Sequence, residues 1–231
     1  MTVAFAERYP AEAADPYCLA PEEIDALLDR APWRRLAVLG DSIAEGLREE
    51  VPGYGPDSWA DRLAAALRRR RPELAYRNLG RRDLRAAEIR TTQLEPALDF
   101  GPDLAVVVAG GNDLLVPVFD GDAVEGKIDA IVAPLRKSGA DVITFSLFDM
   151  PSAMDMPPEL GKDLRERLEE LFERTRAVAR RRDTIHVELA PHPASSEPAT
   201  YASDFRHAST RGHAVCASVT IQELGRRLGA G

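Results

Sequence analysis

The chain has 231 residues, 45% of them apolar, and a formal net charge of −8. A chain of this length suits one domain and can bury roughly 70–75% of its unfolded surface without staples. The acidic balance disfavours nucleic acid as a partner, because phosphate binding needs a basic face.

Residues 1–20 carry Pro10, Pro16 and few large apolar groups and read as an extended arm. Pro21 opens a short helix with Glu22 and Glu23 in its first turn and Ile24, Leu27 and Leu28 as its apolar stripe. The division expected is an arm with a short helix over 1–32 and one domain over 33–231. Residues 35–39 form a strand. Residues 57–71 form a helix capped by Asp57 or Ser58, with Trp59, Leu63 and Leu67 facing inward. The basic run Arg68 to Arg71 closes that helix, where cations complement the dipole.

A short strand is predicted over 74–78, a helix over 84–98, and a strand over 104–109. The last is apolar throughout, as suits a central parallel strand covered on both faces. A helix over 122–138 and a strand over 142–146 follow. Pro157-Pro158 opens a long charged helix to about Arg182, with Leu160, Leu164, Leu168, Leu171 and Val178 as its buried stripe. A strand over 185–189, a loop over 191–203 rich in Pro, Ser and Ala, and a closing helix over 210–228 complete the chain. Five strands alternating with helices imply an α/β fold in three α/β/α layers, a flavodoxin-like five-stranded parallel sheet with helices on both faces.

Three segments carry chemistry. Val38-Leu39-Gly40-Asp41-Ser42 ends the first apolar run at a serine, where open α/β sheets place their ligands. Gly110-Gly111-Asn112-Asp113 follows the strongest strand. Asp204-Phe205-Arg206-His207 precedes the closing helix. In that order they supply a nucleophile, an anion stabiliser, and a general base with its orienting acid. A serine hydroxyl needs a neutral imidazole within reach, and His207 suits the task. Asp204, about one turn earlier, can fix the tautomer of His207.

On these residues the chain resembles the SGNH hydrolases, also called the GDSL esterase/lipase family, from about Trp33 to the last helix. The resemblance implies a serine esterase acting on a small carboxylic ester through an acyl-enzyme on Ser42, with His207 as base and Asp204 as orienter. It assigns the oxyanion hole to the Ser42 N–H, the Asn112 amide and a backbone N–H of a further block. That block departs from the family pattern Asn-x-x-x-x-Gly: Asn78-Leu79-Gly80-Arg81-Arg82-Asp83 places Asp83 where glycine is expected. Either Asp83 offers its N–H, or the loop is re-registered and Gly80 takes the role. Asp41, Gly111 and Asp113 are expected to hold the loops rather than touch substrate. Two other activities fit the same residues: an acyltransferase using the same acyl-enzyme, and a catalytically weakened binding protein on the same fold.

The remaining histidines and cysteines read structurally. His213 reads as a packing or helix-start group, His186 as a satisfied core histidine, and His192 as a loop residue. Their spacing with His207 fits no strong zinc pattern, and no metal or organic cofactor is expected. Cys18 and Cys216 make no disulfide framework. Without a basic stretch leading an apolar core at the N-terminus, or a run of membrane-spanning length, the expectation is a cytoplasmic protein with no membrane partner. Oligomeric state is not legible in the sequence. Phe119, Phe148, Met150, Met154 and Met156 follow strand ends and are candidates for an apolar acyl pocket, with 148–158 as a specificity loop.

Overall fold

Strand patterning decides the layers. In the computed structural model, which describes residues 5–155 and 157–229, the sheet strands are β1 (Arg35–Gly40), β2 (Ala75–Asn78), β3 (Leu104–Val108), β4 (Asp141–Ser146) and β5 (Ile185–Glu188). They lie in the order β2-β1-β3-β4-β5, all parallel. Alternate side chains point to opposite faces. Leu36, Val38, Leu104, Val106, Ile143 and Phe145 enter one core, while Ala37, Leu39, Ala105, Val107 and Val142 enter the other. Because both faces are dry, the strands read as continuous apolar runs rather than alternating ones.

The helices cover these faces. One side carries α1 (Pro21–Leu27), α2 (Trp59–Arg70) and α6 (Thr210–Arg227); the other carries α3 (Ala86–Phe100), α4 (Gly121–Lys137) and α5 (Pro158–Arg182). Caps fix where they start. Ser58 accepts from the Asp61 N–H at the head of α2, Asp120 from Ala123 at α4, and Ser209 from Gly212 at α6. The arginines closing α2 are tied to α1 instead of reaching into solvent: Arg69 pairs with Asp25 at 2.5 Å and Arg70 with Asp29 at 2.7 Å. The predicted three-layer, flavodoxin-like arrangement is the observed one.

The strand order reverses between β1 and β3, which pair directly with Gly40 opposite Val108. Chains leaving these two strands diverge and open a crevice at the carboxyl edge. Only glycine fits at the end of β1. Gly40 has φ +153°, and a Cβ there would lie 2.3 Å from the Val108 carbonyl oxygen. A buried amide clamps the same residue: Gln93 Oε1 accepts from the Gly40 N–H at 2.7 Å, and Gln93 Nε2 donates to its carbonyl at 2.8 Å. With the Arg81 N–H, which also donates to the Gly40 carbonyl, this satisfies the polar groups at the end of β1.

Two regions differ from expectation. The N-terminal stretch is not an extended arm. It contains short helices at Phe5–Arg8 and Pro10–Ala14 and is fastened to the domain by buried ion pairs. Glu12 pairs with Arg62 at 2.5 Å, and Asp15 with Arg211 at 2.7 Å. Burial pushes the Asp15 carboxyl up, but hydrogen bonds from Arg211, Tyr54 and the Tyr17 N–H outweigh it and hold it below its usual range. Leu160, expected in the buried stripe of α5, is 56% exposed. The stripe becomes core only from Leu168 onward, while Leu164 lines the cavity at Ser42.

Arg211 and Asp15 are both more than nine-tenths buried, so removing one partner strands a charge. Asp15→Ala is expected to cost about 3 kcal/mol in urea unfolding. This is the low end for a broken buried pair, since Glu197 still holds Arg211 at 2.6 Å. A cost below about 1 kcal/mol, the level of an exposed pair, would show that the N-terminal stretch does not brace the domain.

Candidate active site

Ser42 begins the turn of helix Ser42–Glu45 that follows β1. Asp41 caps this turn, its Oδ1 accepting from the Ile43 N–H at 3.0 Å. Gly46, at φ +89°, ends it. This abrupt stop projects the Ser42 hydroxyl over the sheet edge while the residue stays 8% exposed.

His207 reaches Ser42 through two small pieces of pairing. Residues Arg48–Glu49 form a two-residue parallel ladder with Ala208–Ser209, immediately after the histidine. Tyr201 bridges Ala208 in antiparallel fashion, and the Ala202 N–H donates to the His207 carbonyl at 2.9 Å. The loop between turns sharply at Phe205, whose φ of +53° is unusual for a bulky residue. That turn folds Asp204 back under the imidazole. Asp204 Oδ1 accepts from the N–H groups of Arg206 (2.9 Å) and His207 (3.0 Å), and Oδ2 accepts from His207 Nδ1 at 2.6 Å. Partial burial raises the Asp204 carboxyl, but these three hydrogen bonds prevail and hold it below its ordinary range.

The direction of the chain of hydrogen bonds follows from chemistry. An ionised carboxylate only accepts, so Nδ1 carries the imidazole proton and Nε2 is free to accept from the Ser42 hydroxyl, 2.9 Å away. The hydroxyl is aimed at a base already held in the tautomer that can take its proton.

Gly110, Gly111 and Asn112 follow β3 at the neighbouring position on the edge. Gly110 has φ +103°, and a Cβ would press to 2.5 Å from Leu171. Asn112 Nδ2 donates to the Leu84 carbonyl at 3.0 Å. One amide proton is thus fixed on the protein, the second is not taken by Leu84, and Asn112 lines the same cavity as Ser42 and His207. Asp113 Oδ2 accepts from the Ala86 N–H at the head of α3. Gly111 adjoins Asp41, where a Cβ would make an ordinary contact of 3.4 Å with its Oδ2.

In the turn after β2, the N–H of Leu79 goes to Val38, that of Gly80 to Asn78 Oδ1 at 2.8 Å, that of Arg81 to Gly40 and that of Arg82 to Glu45. Gly80 therefore has no N–H to offer a ligand, and its glycine character serves packing: a Cβ would lie 2.3 Å from the Glu45 nitrogen. The re-registered reading of the loop would require this N–H to leave Asn78. Asp83 adopts φ +67°, the left-handed conformation a glycine would take. Among the described residues, no acceptor takes its N–H. It stands beside Leu84, which holds Asn112, but neither Asp83 nor Gly80 lines the cavity wall.

The other candidates are placed as follows. His213 is 1% exposed; its Nδ1 accepts from the Trp59 N–H and its Nε2–H donates to the Leu47 carbonyl, which fixes it neutral, with burial lowering its pKa to about 4. His186 shares both ring nitrogens with the hydroxyls of Thr144 and Ser146. His192 Nδ1 accepts from the Ala194 N–H and lies edge-on to Tyr17. Each histidine is thus committed separately. Phe148 and Met150 line the cavity, Phe119 and Met154 do not, and Met156 lies outside the described residues. Sequence reasoning did not single out Trp59, Leu114, Leu115 and Gln93 for the site. Trp59 Nε1 donates to the Ile43 carbonyl at 2.7 Å and so supports the serine turn. Among the described residues, no helix is long and apolar enough to cross a membrane.

The model of the GDSL-like lipase/acylhydrolase family matches residues 38–215. No curated protein matches the chain. Among solved structures it is similar to LAE5, an alpha/beta hydrolase enzyme from the metagenome of Lake Arreo, Spain: 22% identity, TM-score 0.66, covering 83% of this chain and 95% of that one. It is also similar to Axe2, an acetylxylan esterase from Geobacillus stearothermophilus: 19% identity, TM-score 0.67, covering 83% and 94%. At these identities the likeness is one of fold.

Asp41 is 2% exposed, and burial pushes its carboxyl up to about 6. The Ile43 N–H and His207 pull it down, and Asp113 adds to the rise. Because the folded state holds this proton more tightly than the unfolded chain does, Asp41 contributes less stability as pH rises from about 4 to about 6. The stability of the parent relative to Asp41→Asn is therefore expected to fall by roughly 2–3 kcal/mol between pH 4 and 7, measured by urea unfolding across the range. A difference that stays flat with pH would show that the carboxyl is not perturbed.

Proposed function

Because the chain belongs to the GDSL-like lipase/acylhydrolase family and is an ester-hydrolysing serine hydrolase, we propose that it cleaves a small carboxylic ester through an acyl-enzyme on Ser42. The observation that carries this reading is the unbroken chain Asp204–His207–Ser42, with contacts of 2.6 and 2.9 Å. The catalytic mutants of Axe2 include an aspartate and a histidine three residues apart, and a serine; Asp204, His207 and Ser42 have the same makeup here.

Ser42 Oγ attacks the ester carbonyl as its proton passes to His207 Nε2. The imidazolium is stabilised by Asp204. Negative charge develops on the carbonyl oxygen, and its donors are the Ser42 N–H and the second Asn112 amide proton, joined by the N–H of Asp83 once the bound ester reaches past the cavity wall, which Asp83 does not line. The Asp83 assignment is supported by its left-handed backbone and its unclaimed N–H beside the residue that holds Asn112. Collapse expels the alcohol, which takes the proton from His207. Water, deprotonated by the same nitrogen, then releases the acid and restores Ser42. Ester plus water gives acid plus alcohol, and no cofactor enters. An acyltransferase would replace that water with another acceptor, which product analysis distinguishes. The intact hydrogen-bond chain favours turnover over a binding role alone.

A fluorophosphonate probe is expected to label Ser42, with labelling lost in Ser42→Ala and strongly slowed in His207→Ala. Asp204→Asn should lower kcat on an activated ester by about 10⁴, and Asn112→Ala by about 10²–10³. Labelling that survives Ser42→Ala would refute the assignment. Asp83→Gly keeps both the positive φ and the N–H, so kcat is expected to stay within a factor of about three. A larger change at any pH would mean that the carboxylate, and not only the backbone, acts on the reaction.

A further inference from the structure

The cavity at Ser42 has a volume of about 130 Å³. Away from the reacting groups its wall is mostly carbon: Leu114, Leu115, Leu147, Phe148, Leu164 and Leu168. Burial grades along these side chains. Leu114 and Leu168 are 6% and 5% exposed, whereas Leu115 is 58% exposed and Leu164 is intermediate. The wall thus runs from a dry floor to an open rim.

The chemistry orients a substrate in this space, and this step rests on the esterase reading above. His207 hands its proton to the departing alcohol, so the alcohol portion lies on the side of His207, Arg206 and Phe205. The acyl portion is the remaining carbon substituent and takes the wall away from His207, where the cavity lining is apolar. Leu114 and Leu115 follow Asn112 and Asp113 in the same 3-10 turn, and α5 contributes Leu164 and Leu168 to the same cavity. Arg167 bolts the two elements together, donating to the carbonyls of Leu114 at 3.1 Å and Val116 at 2.8 Å. The slot between them is built.

We propose that this slot binds an unbranched acyl chain and sets its length, with Leu114, Leu115, Leu164 and Leu168 as the gauge. An apolar cavity of about 150 Å³ holds a six-carbon ring, so the slot, one part of this cavity of about 130 Å³, takes at most about six acyl carbons. An acetyl group leaves most of the slot unfilled. A sugar placed there would lack partners for its hydroxyls, whose unpaired burial is costly.

The test compares kcat/KM on p-nitrophenyl acetate, butanoate, hexanoate and decanoate, where one leaving group isolates the acyl effect. Each methylene moved from water into the slot is worth about fourfold. Butanoate is therefore expected to exceed acetate by roughly 15-fold, with the rise ending near hexanoate. Leu164→Trp shortens the slot and is expected to lower the hexanoate-to-acetate ratio by about tenfold or more. Leu115→Ser sits on the exposed rim, where folding is not at stake, and is expected to lower the same ratio about fourfold or more. Acetate as the best substrate, a flat profile, or ratios unmoved in both variants would overturn the slot while leaving the esterase reading intact, provided Ser42 still labels. No hydrolysis of any ester, with no labelling of Ser42, would overturn both.

Discussion

The serine and the histidine lie 165 residues apart, and a two-residue ladder closes the gap. Arg48–Glu49 leads away from the Ser42 turn, and Ala208–Ser209 leads away from His207. Pairing them in parallel fixes both ends of the Ser42–His207 hydrogen bond at once. So short a ladder would be marginal alone. It persists because its surroundings are already ordered: Glu49 accepts from the Ser203 N–H, Thr210 Oγ1 accepts from the Val51 N–H, and Ser209 caps α6.

The N-terminal stretch belongs to the same support. Asp15 and Glu197 both hold Arg211, which lies in the first turn of α6, four residues beyond His207. The buried His213 joins Leu47, beyond the serine turn, to the head of α2. Each long connection is thus tied near the edge where the reacting groups project. Without such ties the ordering entropy of these loops would oppose the geometry.

Carboxylates at the crevice serve backbone amides. Asp41 caps the serine turn and Asp113 the head of α3. Burial raises the pKa of both. Asp204 is the contrast: three hydrogen bonds hold it ionised beneath the imidazole. One residue type thus fills two roles, separated by solvation and partners.

Much of the fold was legible because it is local. Apolar runs gave the sheet strands, α2 started at its Ser58 cap and α1 and α5 at prolines, and Gly-Asp-Ser, Gly-Gly-Asn-Asp and Asp-x-x-His fell at strand and helix ends. What escaped notice had no periodic signature. The short N-terminal helices are too brief for one, and their anchors are single ion pairs to Arg62 and Arg211. The reach of Gln93 from mid-helix to Gly40 likewise depends on how α3 packs on β1. Leu160 followed the stripe of α5 but is exposed, since spacing along a helix does not tell where the layer beneath it stops.

By itself, the sequence determined the alternation of strands and helices, the parallel sheet, and which residue types stand at its carboxyl ends; these follow from side-chain period and turn chemistry over a few residues. Tertiary structure alone decided that Gly80 spends its N–H on Asn78, that Asp83 takes the left-handed turn, and that α5 and the turn after Asn112 enclose an apolar cavity. Those outcomes depend on distances between segments far apart in the chain, which only packing and long-range hydrogen bonds set.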